Sequence, residues 1–214
     1  MMDTEKLSKA YLTAKRYIIH KGYSREVDWQ NEIDFNKLTY KEFIEEYIWV
    51  VLSSGLSNKV VSIIYPKIIA LLEENSEIIY SRKIELKAKA LRIFNHPKKI
   101  DAIFDTIFFI NSVGFKHVKK KISLHRTNYL KTFAFIGETT CYHLAKNIGL
   151  NYSKPDRHLI RISKSAGFNS PDELCMTISK NIEEKVQVVD LVLWIYATID
   201  NNYEKKISKL NSVL

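Results

Sequence analysis

The chain has 214 residues, 46% of them hydrophobic, which is enough for a folded core in one domain or two small lobes and argues against disorder. Lysine and arginine number 33 against 24 acidic residues; this net charge of +9 favours polyanionic partners, although a solvated lysine-rich surface would also produce it. The two cysteines, Cys141 and Cys175, are too few for a disulfide framework or a four-cysteine cluster, so we expect no metal and no cofactor.

The chain shows no sign of a membrane segment. No apolar run approaches the roughly 20 residues that span a bilayer. The first residues, Met1 to Lys6, lack the basic-then-apolar order of a secretory signal. These features predict a cytoplasmic protein without a membrane partner.

Apolar residues recur at helical spacing almost throughout the chain, and no run of strict alternation predicts a strand. Six glycines and four prolines leave few places for the chain to break. We therefore predict an all-α protein of about ten or eleven helices joined by short loops.

Capping residues indicate where helices begin and end. Thr39-Tyr40-Lys41-Glu42 and Ser170-Pro171-Asp172-Glu173 both have capping-box spacing at a helix start. Asn95-His96-Pro97 and Lys154-Pro155 each predict the end of one helix and the start of the next. The glycines predicted to close helices are Gly22, Gly114, Gly149 and Gly167.

A short turn, Phe135-Ile136-Gly137-Glu138, joins two helix-compatible segments. Gly137 can adopt a positive φ and let another backbone approach closely. Where such a turn leads into a helix, unpaired amides and the positive end of the helix dipole suit a DNA phosphate, in a contact that is blind to base sequence. The plainer interpretation is that Gly137 only closes an αα-hairpin.

Asp156 follows a proline at a predicted helix start, where an acid ordinarily complements the helix dipole. The same position favours the ionised carboxylate, which could stabilise positive charge on a deoxyribose as its glycosidic bond breaks, or orient the attacking water. Two residues on, His158 is expected to pack or to hydrogen-bond rather than to transfer protons.

Two of these segments resemble the helix-hairpin-helix (HhH-GPD) DNA glycosylases, which include endonuclease III. Phe133 to Thr140 falls where the family has its Leu-Pro-Gly-Val/Ile-Gly hairpin. Asp156 to Ile162 looks like the family's Asp-x-His-hydrophobic-x-Arg-hydrophobic segment, at the family's interval. Val51 to Val60 is more weakly similar to the early helix-loop-helix that presents DNA-probing residues, so the likeness covers about Tyr40 to Tyr196.

The resemblance implies a two-lobed all-α fold in which residues 1–214 form one glycosylase domain without an iron–sulfur cluster. The central lobe would span about 50–148, and the second lobe would combine about 1–49 with 149–214. The protein would be a monomer that binds double-stranded DNA containing a damaged base, and would therefore be associated with the nucleoid.

Carried over to this chain, the resemblance implies that Asp156 is the catalytic aspartate. The residues implied to grip the phosphate backbone through main-chain amides are Phe135, Ile136, Gly137, Glu138 and Thr139. Phe135 stands in place of the first hairpin glycine, and Thr139 stands where bifunctional members carry a Schiff-base lysine. Because a hydroxyl cannot form an imine, the implied activity is monofunctional: hydrolytic excision of a damaged or modified base, in base excision repair, with the strand left intact.

Two further DNA contacts are predicted. Leu56, beside Ser57 in a small polar loop, could fill the gap left by an extruded base, or could instead anchor the next helix in the core. Lys120 belongs to the basic run from Lys116 to Lys121, which could line the DNA path or be only a solvated face.

Three alternatives remain open. A displaced lysine, Lys131 or Lys146, could restore lyase chemistry, although the first precedes the hairpin and the second lies on the next helix. A non-catalytic helix-hairpin-helix DNA-binding protein would use Asp156 only as a cap. A helical protein-interaction domain would carry an incidental basic face. The lesion is not indicated, because pocket shape rather than fold sets base choice.

Overall fold

The computed structural model describes residues 4–72, 76–200 and 203. Within these residues the regular structure is entirely helical, with twelve α-helices, one 3₁₀ turn and no strand. The all-α prediction is confirmed, and the helices slightly outnumber the ten or eleven that were expected. None of the described helices is long and apolar enough to cross a membrane.

The helices follow one another with short connections. In chain order they are α1 (Thr4–His20), α2 (Ser24–Glu32), the 3₁₀ turn (Phe35–Lys37), α3 (Tyr40–Ser53), α4 (Asn58–Leu71), α5 (Ser76–Ser81), α6 (Lys83–Ile93), α7 (Pro97–Val113), α8 (Phe115–Leu130), α9 (Thr140–Asn147), α10 (Arg157–Ser165), α11 (Pro171–Ile182) and α12 (Val186–Ile199).

The chain divides into two compact units. Unit 1 comprises Met1–Lys37 and Ala145–Leu214, and unit 2 comprises Leu38–Leu144. The glycosylase lobes that the resemblance implies, with bounds near residues 50 and 148, stay a prediction.

Unit 1 is built around α12, which packs against α1, α2, α10 and α11. This helix is apolar on nearly every face, as expected of a helix enclosed by others, and Val188, Val189 and Val192 are fully buried. Cys175 of α11 is a buried free thiol in the same core. Unit 1 therefore has a hydrophobic core of its own.

Unit 2 has a separate core in which α3 packs against α4 and α7, and α7 packs in turn against α6 and α8. Aromatic side chains fill much of it. The Phe133 ring lies 5.7 Å from the Phe43 ring and 6.0 Å from the Tyr47 ring, centroid to centroid, at the tilted angles that aromatic pairs prefer. Phe133 leads into the predicted hairpin, so the hairpin is anchored in this core.

The predicted helix starts can be compared with the observed caps. The Thr39 hydroxyl accepts from the Glu42 amide and the Glu42 carboxylate accepts from the Thr39 amide, so this capping box is confirmed. The Ser170 hydroxyl likewise caps α11, and the His96 ring caps α7. The prediction for Lys154-Pro155 is wrong: α9 already ends at Asn147, and α10 begins at Arg157 because Asp156 supplies the cap.

The four predicted helix-closing glycines, Gly22, Gly114, Gly149 and Gly167, all adopt positive φ, which confirms their role. Gly149 is also held by close packing. A Cβ added there would lie 2.6 Å from the Phe35 nitrogen and 2.9 Å from the Ile33 Cγ2. At Gly22, by contrast, an added Cβ would meet nothing within 4 Å.

The first prediction separates these two effects. Gly149→Ala should lower the free energy of unfolding by about 2 to 4 kcal/mol, because the strain of a positive φ adds to a backbone clash. Gly22→Ala, with a similar φ and open space, should cost only about 1 kcal/mol. Chemical denaturation of both variants measures the difference, and equal losses would contradict the steric argument.

Candidate functional site

The predicted hairpin is the turn between α8 and α9, in unit 2. The turn is tight: the Ile136 amide donates to the Phe133 carbonyl at 3.1 Å, and the Cys141 amide donates to the Gly137 carbonyl at 3.0 Å. Ile136 is also buried, which anchors the middle of the turn. The region is therefore a compact turn between two helices, which both interpretations of Gly137 require.

The left-handed residue of this turn is Phe135, with φ of 63°; Gly137, which could have adopted a positive φ, does not. The turn therefore places a phenylalanine in a conformation that glycine adopts most easily. A non-glycine residue costs about 1 kcal/mol in this region of backbone space. The Phe135 ring is 37% exposed and makes an edge contact with His96, at a centroid distance of 6.1 Å.

The hairpin uses some of its own amides, which corrects the expectation that residues 135–139 would all offer them to DNA. The Ile136 amide is bonded within the turn, and the Gly137 amide donates to the Thr140 hydroxyl at 2.7 Å. The amides of Phe135, Glu138 and Thr139 have no acceptor within the part of the chain that the structure describes. Only these three amides are therefore left for an external acceptor.

Gly137 still leaves room beside the turn. A Cβ added at this position would meet no heavy atom within 4 Å, so nothing in the described protein requires a glycine here. The space that the missing side chain leaves open is on the outside of the hairpin. The absence of a side chain there suits close approach of another molecule's backbone.

Buried polar groups of α3 and α7 hold the hairpin and the loop between α3 and α4. The Tyr47 hydroxyl donates to the Ala134 carbonyl at 3.0 Å and accepts from the Thr106 hydroxyl at 2.9 Å, and burial raises the pKa of Tyr47 to about 12. The buried Lys99 ammonium donates to the carbonyls of Leu52 at 3.1 Å and Ser54 at 2.5 Å. These bonds satisfy carbonyls where helix and turn leave them open.

Ser54 and the hairpin line one cavity of about 520 Å³ in unit 2. The structure thus brings the hairpin together with the loop that was predicted to probe DNA. In that loop Leu56 is partly buried and Ser57 is exposed. Lys120 is exposed on α8, whereas its neighbour Lys119 donates to the Leu38 carbonyl at 2.9 Å and has a structural role.

Lys131 and Glu138 form an ion pair at the rim of this cavity, with Nζ and Oε2 separated by 2.5 Å. The hydrogen bond that Lys131 donates to Glu138 raises the pKa of Lys131, so this lysine is held as an ammonium. The pair also places a cation against the one acidic residue of the hairpin turn.

Asp156 belongs to unit 1, where it is the N-cap of α10. Its Oδ1 accepts from the amides of His158 at 2.9 Å and Leu159 at 3.1 Å, as expected of a cap. Its Oδ2 accepts no hydrogen bond from the described residues, although the carboxylate interacts electrostatically with the nearby Lys154, and the side chain is only partly buried. Asp156 therefore stabilises a helix with one oxygen and leaves the other available. His158 packs near Tyr203, with ring centroids 6.1 Å apart.

The backbone leading to Asp156 rests on residues that the sequence analysis missed. Asp190 of α12 is 1% exposed, forms an ion pair with the buried Lys146 and accepts from the Lys154 amide at 2.6 Å. The signal in the sequence was a lone charged residue in the largely apolar helix Val186–Ile199. Burial lowers the pKa of Lys154 itself.

Among the described residues, no group of three or more His, Cys, Asp or Glu side chains is arranged to hold a metal ion. No protein-family model, curated protein or solved structure matches this chain. The function is therefore inferred from the geometry of the hairpin and of Asp156.

A second prediction tests the strain at Phe135. Phe135→Ala and Phe135→Gly both remove the ring and its contact with His96, so the difference between them reports the backbone alone. We expect the glycine variant to be more stable by about 1 kcal/mol, because only glycine adopts a positive φ without cost. Equilibrium denaturation gives the comparison, and a more stable alanine variant, as in ordinary backbone, would refute the left-handed turn.

Proposed function

We propose that this protein is a DNA glycosylase that removes a damaged or modified base by hydrolysis, with Asp156 as the catalytic carboxylate. The observation that carries the proposal is that the two oxygens of this carboxylate have different contacts. Oδ1 accepts from two amides of α10, which fixes the orientation of the group, and Oδ2 accepts no hydrogen bond from the described residues. A fixed carboxylate with one free oxygen suits electrostatic stabilisation of a developing cation.

The proposed reaction needs no covalent intermediate with the protein. The bond between the sugar C1′ and the base nitrogen breaks, and its electron pair leaves with the base. Positive charge then develops on the deoxyribose, where the Asp156 carboxylate stabilises it. The oxygen of a water molecule bonds to C1′, one of its protons is lost and the departing base gains one. The products are a free base and an abasic site in an unbroken strand.

DNA binding is assigned to the hairpin in unit 2. Three amides, those of Phe135, Glu138 and Thr139, are open to a phosphate, and the gap outside Gly137 gives room for a nucleic-acid backbone. The net charge of +9 adds a favourable long-range attraction, to which the exposed Lys120 contributes. Lys131 neutralises Glu138, the one acidic side chain in the turn that would repel a phosphate.

The two displaced lysines are poorly suited to Schiff-base chemistry, which needs an unprotonated amine. Lys131 is held as an ammonium by Glu138, and Lys146 is buried in an ion pair with Asp190. Together with the hydroxyl of Thr139, this favours the monofunctional reaction over a combined glycosylase and lyase.

A non-catalytic helix-hairpin-helix DNA-binding protein is the second candidate. It is favoured by the fact that Asp156 already has a structural task as the cap of α10. The hairpin and the net charge would serve this function equally well. The two candidates differ only in what the free oxygen of Asp156 does.

The third prediction concerns base release. Duplexes that each carry one lesion are incubated with the wild-type protein and with Asp156→Asn, and strand scission is scored with and without alkali. We expect release by the wild type, scission only after alkali, and loss of release in the variant. Scission without alkali would indicate lyase chemistry, and binding without release from any duplex would favour the non-catalytic candidate.

Asp156→Asn is suited to this test because asparagine caps a helix as well as aspartate does. Its free energy of unfolding should stay within about 0.5 kcal/mol of the wild type, whereas Asp156→Ala should lose about 1 kcal/mol. A loss of activity in the asparagine variant would then reflect chemistry and not folding.

The fourth prediction concerns the hairpin. Gly137→Ala should leave the free energy of unfolding unchanged or raise it by about 0.4 to 1 kcal/mol, because its φ and its surroundings accept a side chain. Its affinity for duplex DNA should fall by about tenfold, because the added methyl group fills the space beside the turn and prevents one contact between a neighbouring amide and a phosphate. Binding is measured by fluorescence anisotropy over a range of salt concentrations.

Gly22→Ala, in unit 1 and outside the hairpin, serves as the control and should bind DNA like the wild type. Unchanged affinity in Gly137→Ala would remove the hairpin from the DNA-binding surface. Weak wild-type binding without a steep salt dependence would favour a protein-interaction domain instead.

A further inference from the structure

Asp190 lies in α12 among residues that are almost all apolar, with 1% of its surface exposed. A buried carboxylate is costly unless it is both paired and hydrogen-bonded. Both of its oxygens are in fact engaged. Oδ2 is paired with the Lys146 ammonium, and Oδ1 accepts from the Lys154 amide at 2.6 Å.

The Lys154 amide is two residues from Asp156, and the connection between them is short and stiff. Pro155 lies between the two and has a fixed φ. The Asp156 amide donates back to the Lys154 carbonyl at 2.8 Å. A displacement of the backbone at Lys154 would therefore carry over to Asp156.

Other contacts of unit 1 hold the same segment. The Ser153 hydroxyl donates to the Asp172 carboxylate at 3.2 Å, and the Asn151 side-chain oxygen accepts from the Val186 amide at 2.9 Å. These contacts attach the residues before Lys154 to α11 and α12. Asp190 provides the contact closest to Asp156 and the only one of the three made by a carboxylate to a main-chain amide, which is a strong type of hydrogen bond.

A buried ion pair alone is a weak explanation for these residues, because an apolar pair of similar volume often stabilises a core equally well. An apolar residue at position 190 would, however, leave the Lys154 amide without its acceptor. The ion pair with Lys146 balances the charge of the group that provides this acceptor.

From this geometry we infer that Asp190 is a positioning residue: it fixes the backbone at Lys154 and so orients Asp156. The inference rests on the proposed function of Asp156. Asp190 itself acts through the Lys154 amide and does not touch the substrate.

Two double variants separate this role from general stability. Lys146→Gln with Asp190→Asn replaces the ion pair by a neutral hydrogen-bonded pair and keeps an oxygen for the Lys154 amide. Lys146→Met with Asp190→Leu replaces it by an apolar pair and removes that oxygen. Neither double variant leaves the charge of Lys146 buried without its partner, which a single substitution at position 190 would do, and thermal melting checks that both are folded.

Two readouts are compared with the wild type: amide hydrogen exchange in residues 151–156, and single-turnover base release with duplex affinity measured separately. In the apolar variant we expect faster exchange, and base release slowed by about 10²-fold at nearly unchanged affinity, because a small misplacement of a catalytic group carries that cost. In the neutral polar variant we expect exchange and release close to those of the wild type.

Wild-type exchange in the apolar variant would overturn the inference, because the segment would then be held without Asp190. Faster exchange with unchanged base release would also overturn it, since the hold would have no effect on catalysis. If the wild type releases no base from any duplex, the proposed function fails and the catalytic part of the inference fails with it. The exchange data would still show whether Asp190 holds the segment.

Discussion

A carboxylate and an ammonium buried together in unit 1 constrain the part of the structure that contains Asp156. Lys146 lies in the last turn of α9 and Asp190 lies in α12. Each accepts a further hydrogen bond: the Gln30 side-chain amide donates to the Lys146 carbonyl at 3.1 Å, and the Lys154 amide donates to the Asp190 carboxylate. Two charges buried in apolar surroundings must stay together, so these elements must keep one arrangement. The position of the segment that contains Asp156 depends on these elements.

In unit 2 as well, buried polar side chains hold the main chain by hydrogen bonds, but the groups are different. Tyr47 and Lys99 are buried polar residues whose donors end on main-chain carbonyls of Ala134, Leu52 and Ser54, where turns leave those carbonyls open. A buried donor strongly specifies the position of its acceptor, because losing the bond costs more than making it gains. The strained φ of Phe135 can persist because neighbouring residues of the turn are fixed in this way. Hairpin and loop then share one cavity.

Local features were the ones that could be predicted from sequence. The capping box at Thr39, the cap at Ser170 and the four helix-closing glycines depend on hydrogen bonds and φ angles within a few residues, and all are confirmed. The helix start expected at Lys154-Pro155 was wrong because the residues before Asp156 are not helical and Asp156 is the N-cap of α10. The conformation of the hairpin was predicted less well. The positive φ lies at Phe135, and the Gly137 amide donates to the Thr140 hydroxyl. Packing and side-chain hydrogen bonds, which the sequence pattern does not give, determine this conformation.

The features of the candidate site also separate into local ones and ones that depend on distant contacts. The sequence by itself determined the helical class, the turn before α9 and the capping position of Asp156, since each follows from neighbours along the chain. Only the tertiary structure decided that one oxygen of Asp156 accepts no hydrogen bond. It also decided that Asp190, which is 44 residues from its ion-pair partner Lys146, holds the segment just before Asp156. Hydrogen bonds within one turn are set by local backbone geometry. The pairing of distant polar side chains is set by which helices enclose them, because burial makes an unpaired charge too costly to keep.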